Sequence, residues 1–162
     1  MDIVSFITAL GLGGIIGNII TNYLEKKKYV FETIHQERVR VLLELYRKII
    51  RTERAFQSLM NPFQGANEPS QEEKAKKAAE SANEFLDYFH DNKIYLNEII
   101  ESKIIFINEK LVNVWARFNY VAKFQGEIDA KEWGNVWNEI KDEVPKISKE
   151  LKREFQEIIG IE

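Results

Sequence analysis

Two short patterns in this chain carry the residue types of metal chemistry. Glu32-x-x-His35 and Asp87-x-x-His90 each set an imidazole three residues after a carboxylate, and they hold the only two histidines of the 162 residues. On a helix that spacing puts both groups on one face. Paired copies of it build carboxylate-bridged di-iron sites inside four-helix bundles. His35 precedes the centre of the first loop by about 30 residues and His90 follows it by about 25, so an antiparallel hairpin would bring them to within about 8 Å in height. Glu32, His35, Asp87 and His90 are therefore the candidate metal ligands. The set is incomplete, because such a site needs two further inward carboxylates. Glu98, Glu101 and Glu109 do not stand out as core-facing. His90 also falls at a predicted helix end, where imidazole suits the carbonyls and the dipole. The expectation is no metal and no cofactor.

Other chemistries find less. There is no cysteine, hence no disulfide, thiolate metal site or cysteine nucleophile. No G-x-S-x-G elbow occurs, and the glycine run from Gly11 is not followed by Lys-Ser or Lys-Thr as a phosphate loop would be. The expectation is a non-enzyme. The net charge is -3, of which residues 1–28 carry +1 and the rest -4. A mildly acidic body is a poor match for nucleic acid, whose binding rests on phosphate neutralisation.

The elements that would position such groups are helices. Hydrophobic residues make up 44% and charged residues 30%, enough for a packed core. Only 8 Gly and 3 Pro are present, and four of the glycines crowd between Gly11 and Gly17, so the remainder lacks the turns that many short strands require.

From Ile3 to Ile20 every residue is apolar or small except Ser5, Thr8 and Asn18. Eighteen helical residues span about 27 Å, close to the hydrocarbon thickness of a bilayer. Tyr23 then falls at headgroup level and Lys26, Lys27 and Lys28 just beyond it. An apolar run, an interfacial aromatic and a basic cluster are the pattern of a membrane-spanning helix, with the basic side cytoplasmic. A signal peptide fits worse, since the one early charge is Asp2 and no small-x-small site precedes the lysines. The expected organisation is a transmembrane anchor over 1–28 and a cytoplasmic helical bundle over 29–162. The anchor would lie in the inner membrane as a single pass, N-terminus out. Gly13 and Gly17 form G-x-x-x-G, which lets membrane helices approach closely, and Asn18 could hydrogen-bond across that face. The bilayer is thus one partner, a second copy another.

The soluble part reads as all-α. Apolar residues at three- and four-residue steps from Phe31 mark a first helix, continuous with the anchor, to about Leu59. "NPFQGANEPS" breaks it. Ser70 with Glu73 makes a capping box for the second helix, which ends at "HDNK". Ile94, Tyr95 and Leu96 form an apolar connection expected to tuck under the bundle, with Asn97 capping the third helix. The third runs to "GEID", where Asp129 and Glu132 make a second capping box. The last helix contains Pro145, which should kink or split it. Trp115, Trp133 and Trp137 fall at core spacing. Lys74, Lys76 and Lys77 read as a solvated face among glutamates. Short loops between long helices favour an up-down antiparallel bundle of about four helices.

The runs "HQERVRVLLELYRKI" and "FLDYFHDNKIYLNEII", behind a single N-terminal span, resemble small uncharacterised bacterial and archaeal membrane-anchored helical proteins. The matching residues are His35, Arg38, Leu45 and Tyr46, then Phe85, Phe89, Asn92, Ile94, Tyr95 and Leu96. That resemblance implies a cytoplasm-facing helical domain on one membrane helix and supplies no activity. Three functions follow as expectations. The first is a self-associating, membrane-anchored interaction or scaffold module. The second is an oligomeric membrane effector, pore-forming or membrane-disrupting, with the bundle as sensor. The third is a carboxylate-histidine metal protein.

Overall fold

The computed structural model describes the backbone of residues 3–61, 65, 67–124 and 130–161, and the side chains of 21–61, 65, 67–120 and 134–161. Among the described residues there are helices and no strands. The helices are α1 (Ile3–Met60), α2 (Gln71–Asp91), α3 (Glu98–Phe124), α4 (Ala130–Asn138) and α5 (Val144–Ile159). A 3-10 turn, Lys93–Tyr95, links α2 to α3, and a π-helical segment, Glu139–Glu143, joins α4 to α5. The chain divides into two compact units, residues 1–40 and 41–162.

The first unit is part of α1. No glycine or proline occurs between Asn18 and Met60, so nothing in the backbone chemistry interrupts the helix. The expected membrane helix falls largely on residues 1–20, whose side chains lie outside the described residues, and Gly13, Gly17 and Asn18 lie outside with them. Among the described residues no helix is long and apolar enough to cross a membrane.

The second unit is a helical bundle. The core stripe of α1 is Leu42, Leu45, Ile49, Thr52, Phe56 and Leu59, at steps of three and four. Thr52 sits in that stripe without an orphaned hydroxyl, because its Oγ1 lies 3.0 Å from the Lys48 carbonyl and 2.9 Å from that of Ser81. Phe85 and Phe89 of α2 and Ile100, Ile104, Ile107, Leu111 and Val114 of α3 complete this side of the core. Ala78 is fully buried and Ala75 and Ala82 pack beside it, so small side chains set the approach of α2. Thr52 bonds Ser81, Gln71 donates to the Leu59 carbonyl at 2.9 Å, and Lys48 pairs with Glu84 at 3.5 Å. These three ties fix α1 and α2 as antiparallel neighbours.

The ends follow local chemistry. At the start of α2 the Glu73 N–H donates to the Ser70 hydroxyl at 3.2 Å, and the Ser70 N–H donates to the Glu73 carboxylate at 2.8 Å, the reciprocal capping box. The Ile100 N–H donates to the Asn97 side chain at 2.9 Å and caps α3. The last helix closes on Gly160, whose left-handed φ of 73° suits a residue without Cβ. Asp129 and Glu132 lie outside the residues with described side chains.

One expectation needs correction. Ile94 does not tuck under the bundle: it is 88% exposed, and only Tyr95 and Leu96 are half-buried. The 3-10 turn is three residues long, too short to bring all three side chains to one side. At Pro145 the regular α-helix is interrupted, between α4 and α5. The backbone widens to a π turn over Glu139–Glu143, immediately before the proline, and carries on as α5. A proline has no N–H for its i−4 carbonyl and collides with it in a regular helix, and the wider turn relieves that conflict.

α3 and α5 are held by a seam of charges. Lys103, Lys110 and Arg117 recur every seven residues, so they line one edge of α3. Lys103 Nζ lies 3.3 Å from Glu150 and 3.2 Å from Glu154. Lys110 Nζ lies 2.8 Å from Glu139 and 3.0 Å from Glu143, and Arg117 reaches Glu139 at 3.7 Å. The falling numbers on one helix against rising numbers on the other make this pair antiparallel as well.

Candidate interaction surface

The outer side of α3 is an exposed apolar surface of the second unit. An amphipathic helix shows water a polar face. α3 instead buries Ile100, Ile104, Ile107, Leu111 and Val114 and still presents Ile99, Ile105, Phe106, Val112 and Tyr120 outward, each 45–66% exposed. At 100° per residue those five fall on an arc opposite the buried stripe. Glu98 and Glu109 are charged residues near the middle of that arc, and Ser102 and Asn113 lie on it too. A helix apolar on both sides normally has cover on both sides. Lys110 Nζ sits 5.4 Å from the Phe106 ring centre, at the border with the charged seam.

The charges around the core are tuned by their neighbours. Glu53 of α1 accepts from the Ser148 hydroxyl at 2.9 Å and from the Gln57 amide at 3.3 Å. Burial nevertheless pushes its carboxyl above the usual carboxylate range, against those hydrogen bonds and the nearby Arg54. Lys103 loses hydration on the seam, but Glu154 and Glu150 outweigh that and raise its ammonium above the usual lysine value. Glu139 and Glu143 raise Lys110 in the same sense. Hydrogen bonds from Arg40 hold the Glu37 carboxyl below its ordinary value.

The sequence-derived candidates are scattered. Glu32 meets Lys28 at 3.9 Å, both exposed. His35 is half-buried and stacks on Phe31 with ring centres 6.2 Å apart. Both belong to the first compact unit. Asp87 and His90 belong to the second and are exposed on α2, the His90 ring 5.1 Å from that of Phe89. Among the described residues no three carboxylate or imidazole groups come together in a way that could hold a metal ion. Tyr23 is exposed and Lys27 Nζ lies 4.9 Å from its ring centre, while Lys26 and Lys28 are exposed alongside. Leu24, Tyr29, Val30, Phe31 and Ile34 are exposed too. Trp115 and Trp137 pack half-buried on the core, and Trp133 lies outside the described side chains.

The outer face of α3 is not among the features read from the sequence. The signal was present: Ile99, Ile105, Phe106 and Val112 cannot share one face with Ile100, Ile104, Ile107 and Leu111. Comparison with protein-family models, with curated proteins and with solved structures returns no match.

Proposed function

We propose that the protein is a membrane-anchored helical interaction module that associates with copies of itself at the cytoplasmic face. The outer face of α3 carries this reading. Ile99, Ile105, Phe106 and Val112 stand exposed there among the described residues, with Glu98 and Glu109 as charges on the arc, so the face suits a second apolar surface better than water. The apolar run Ile3–Ile20, with the basic cluster Lys26 to Lys28 behind it, supports the tether. Holding copies in one membrane raises their local concentration, which makes a modest face sufficient for association. Gly13, Gly17 and Asn18 would add a second contact between copies within the bilayer. The reading involves no catalytic step and no cofactor.

The test is the mass of the full chain in a mild detergent, measured by light scattering across a dilution series. Association beyond the monomer, lost in Phe106→Glu with helicity unchanged, is the expected result. A monomer at every concentration, or an oligomer indifferent to Phe106→Glu and Val112→Glu alike, overturns it. Carbonate extraction of the full chain against one starting at Tyr29 tests the tether separately.

A further inference from the structure

On the opposite kind of surface, α1, α2 and the loop before α2 in the second unit flank an open cleft of about 760 Å³. Its lining includes Arg51, Arg54 and Ser58 from α1 and Lys74, Lys77 and Ser81 from α2. Each helix thus contributes two cations and a serine at i, i+3 and i+7, the spacing that keeps three side chains on one helical stripe. The two stripes run in opposite directions. The ties from Thr52 to Ser81, Lys48 to Glu84 and Leu59 to Gln71 set the register. By that register Arg54 stands level with Lys77, Arg51 with Ser81, and Ser58 with Lys74. The middle level and the Arg51 level then offer exposed cations, Ser81 stands beside Arg51, and at the Ser58 level Lys74 is paired with Glu68.

The charges in the lining do not cancel. Four cations face two carboxylates, Glu68 and Glu73, a formal excess of two positive charges in a chain whose net charge is -3. Both carboxylates are already engaged. Glu73 accepts the Ser70 N–H in the capping box. Glu68 pairs with the ammonium of Lys74, which is almost fully buried, and that hydrogen bond lowers the Glu68 carboxyl below its usual range. Among the described residues Arg51, Arg54 and Lys77 form no ion pair, and all three are exposed to solvent. The neighbouring basic residues differ: Lys76 pairs with Glu80 and Lys48 with Glu84. The first turn of α2 forms one end of the cleft, and its dipole adds to the same sign of field.

We propose that this cleft binds a phosphate group carried on a small molecule. Guanidinium forks match the oxygens of a tetrahedral oxyanion in pairs, and a dianion matches the excess charge of the lining. Ser58 and Ser81 supply hydroxyl donors at the two ends. The volume exceeds that of one phosphate, so it takes the group together with part of what carries it. The phosphate can come from a soluble metabolite or from a lipid headgroup, and the site chemistry is the same for both. The proposal does not rest on the tether or on self-association.

Inorganic phosphate is the first probe. It is titrated into the full chain in neutral detergent, with sodium chloride at matched ionic strength as control, and read by thermal shift and by phosphorus NMR line width. A saturable response to phosphate that chloride does not reproduce is expected. Arg54→Gln with Lys77→Gln should weaken it at least tenfold while leaving the helical signal intact, and Lys110→Gln on the charged seam should leave it unchanged. Adding phosphatidic acid to the micelles separates the sources. Displacement of phosphate by the lipid assigns the headgroup, and persistence of the phosphate signal assigns a soluble ligand. Absence of a saturable response, or an equal response in the double variant, overturns the proposal.

Discussion

Two helix pairs in the second unit carry charge against the core, and they do so in opposite ways. Along α3 and α5, Lys103 and Lys110 each meet two glutamates within 3.3 Å, and Arg117 shares Glu139. Along α1 and α2, Arg51, Arg54 and Lys77 face a cleft whose two carboxylates are committed elsewhere. The first arrangement is complete in itself and serves register and adhesion. The second leaves a positive field, partly offset by Glu53 beside Arg54, that an added anion would neutralise. Matched and unmatched charge on one small bundle therefore distinguish a structural seam from a receptive surface, although both use lysine, arginine and glutamate at heptad spacing.

The comparison can be broken at its base. Phe56 of α1 is fully packed in the common core and edge-on to Trp115 of α3 at 6.3 Å. Phe56→Ala should cost about 3–5 kcal/mol and weaken both pairs together, as read by denaturant unfolding of the full chain. If only one pair loosened by hydrogen exchange, the two would not share a core. The seam itself should yield less. Lys110→Met leaves Glu139 and Glu143 close together and should cost about 1 kcal/mol at neutral pH, whereas Arg54→Met should change stability by less than about 0.5 kcal/mol in the absence of anion. Equal losses would erase the distinction.

Titration sharpens it further. The folded-state values of Lys103 and Lys110 lie above their unfolded ones, so their contribution is complete below about pH 10.4 and is lost as pH rises through the folded values. Alkaline unfolding should therefore be steeper in the native chain than in Lys110→Met. The smallest effect is expected at Glu53. Its carboxyl is raised, so the native state holds more protons than the unfolded one from about pH 4.3 upward, and stability falls across that window. Glu53→Gln keeps an acceptor for Ser148 and should abolish that fall, leaving the variant more stable than the native chain at pH 7. A variant that is less stable at neutral pH would mean the charge is needed.

What could be read from the residues was whatever depends on neighbours in the chain. Ser70 with Glu73 and Asn97 with Ile100 cap their helices as their types and spacing require, and the stripe from Leu42 to Leu59 follows from a period of three and four. What escaped depends on register between helices. Arg51, Arg54 and Ser58 are unexceptional on their own, and Lys74 and Lys77 read as solvated. The two sets become one cleft only once Thr52 is set against Ser81. Lys74 shows the same limit, since its burial beside Glu68 needs the fold of the intervening loop. The backbone response to Pro145 was not legible either, because a kink, a break and a widened turn all satisfy a missing N–H.

That widened turn bears on how the chain tolerates changes of length. The inward residues of the last helical run are Val136, Ile140, Val144, Ser148, Leu151 and Phe155, at steps of four, four, four, three and four. A regular helix would rotate such a run steadily off the core, and the π turn takes up the excess. The segment therefore behaves as a one-residue insertion already absorbed. Removing Lys141 together with Pro145→Ala would leave alternating steps of four and three, the pattern of an uninterrupted helix. The same inward side chains would return to the same positions, and a deletion within α5 would turn them away.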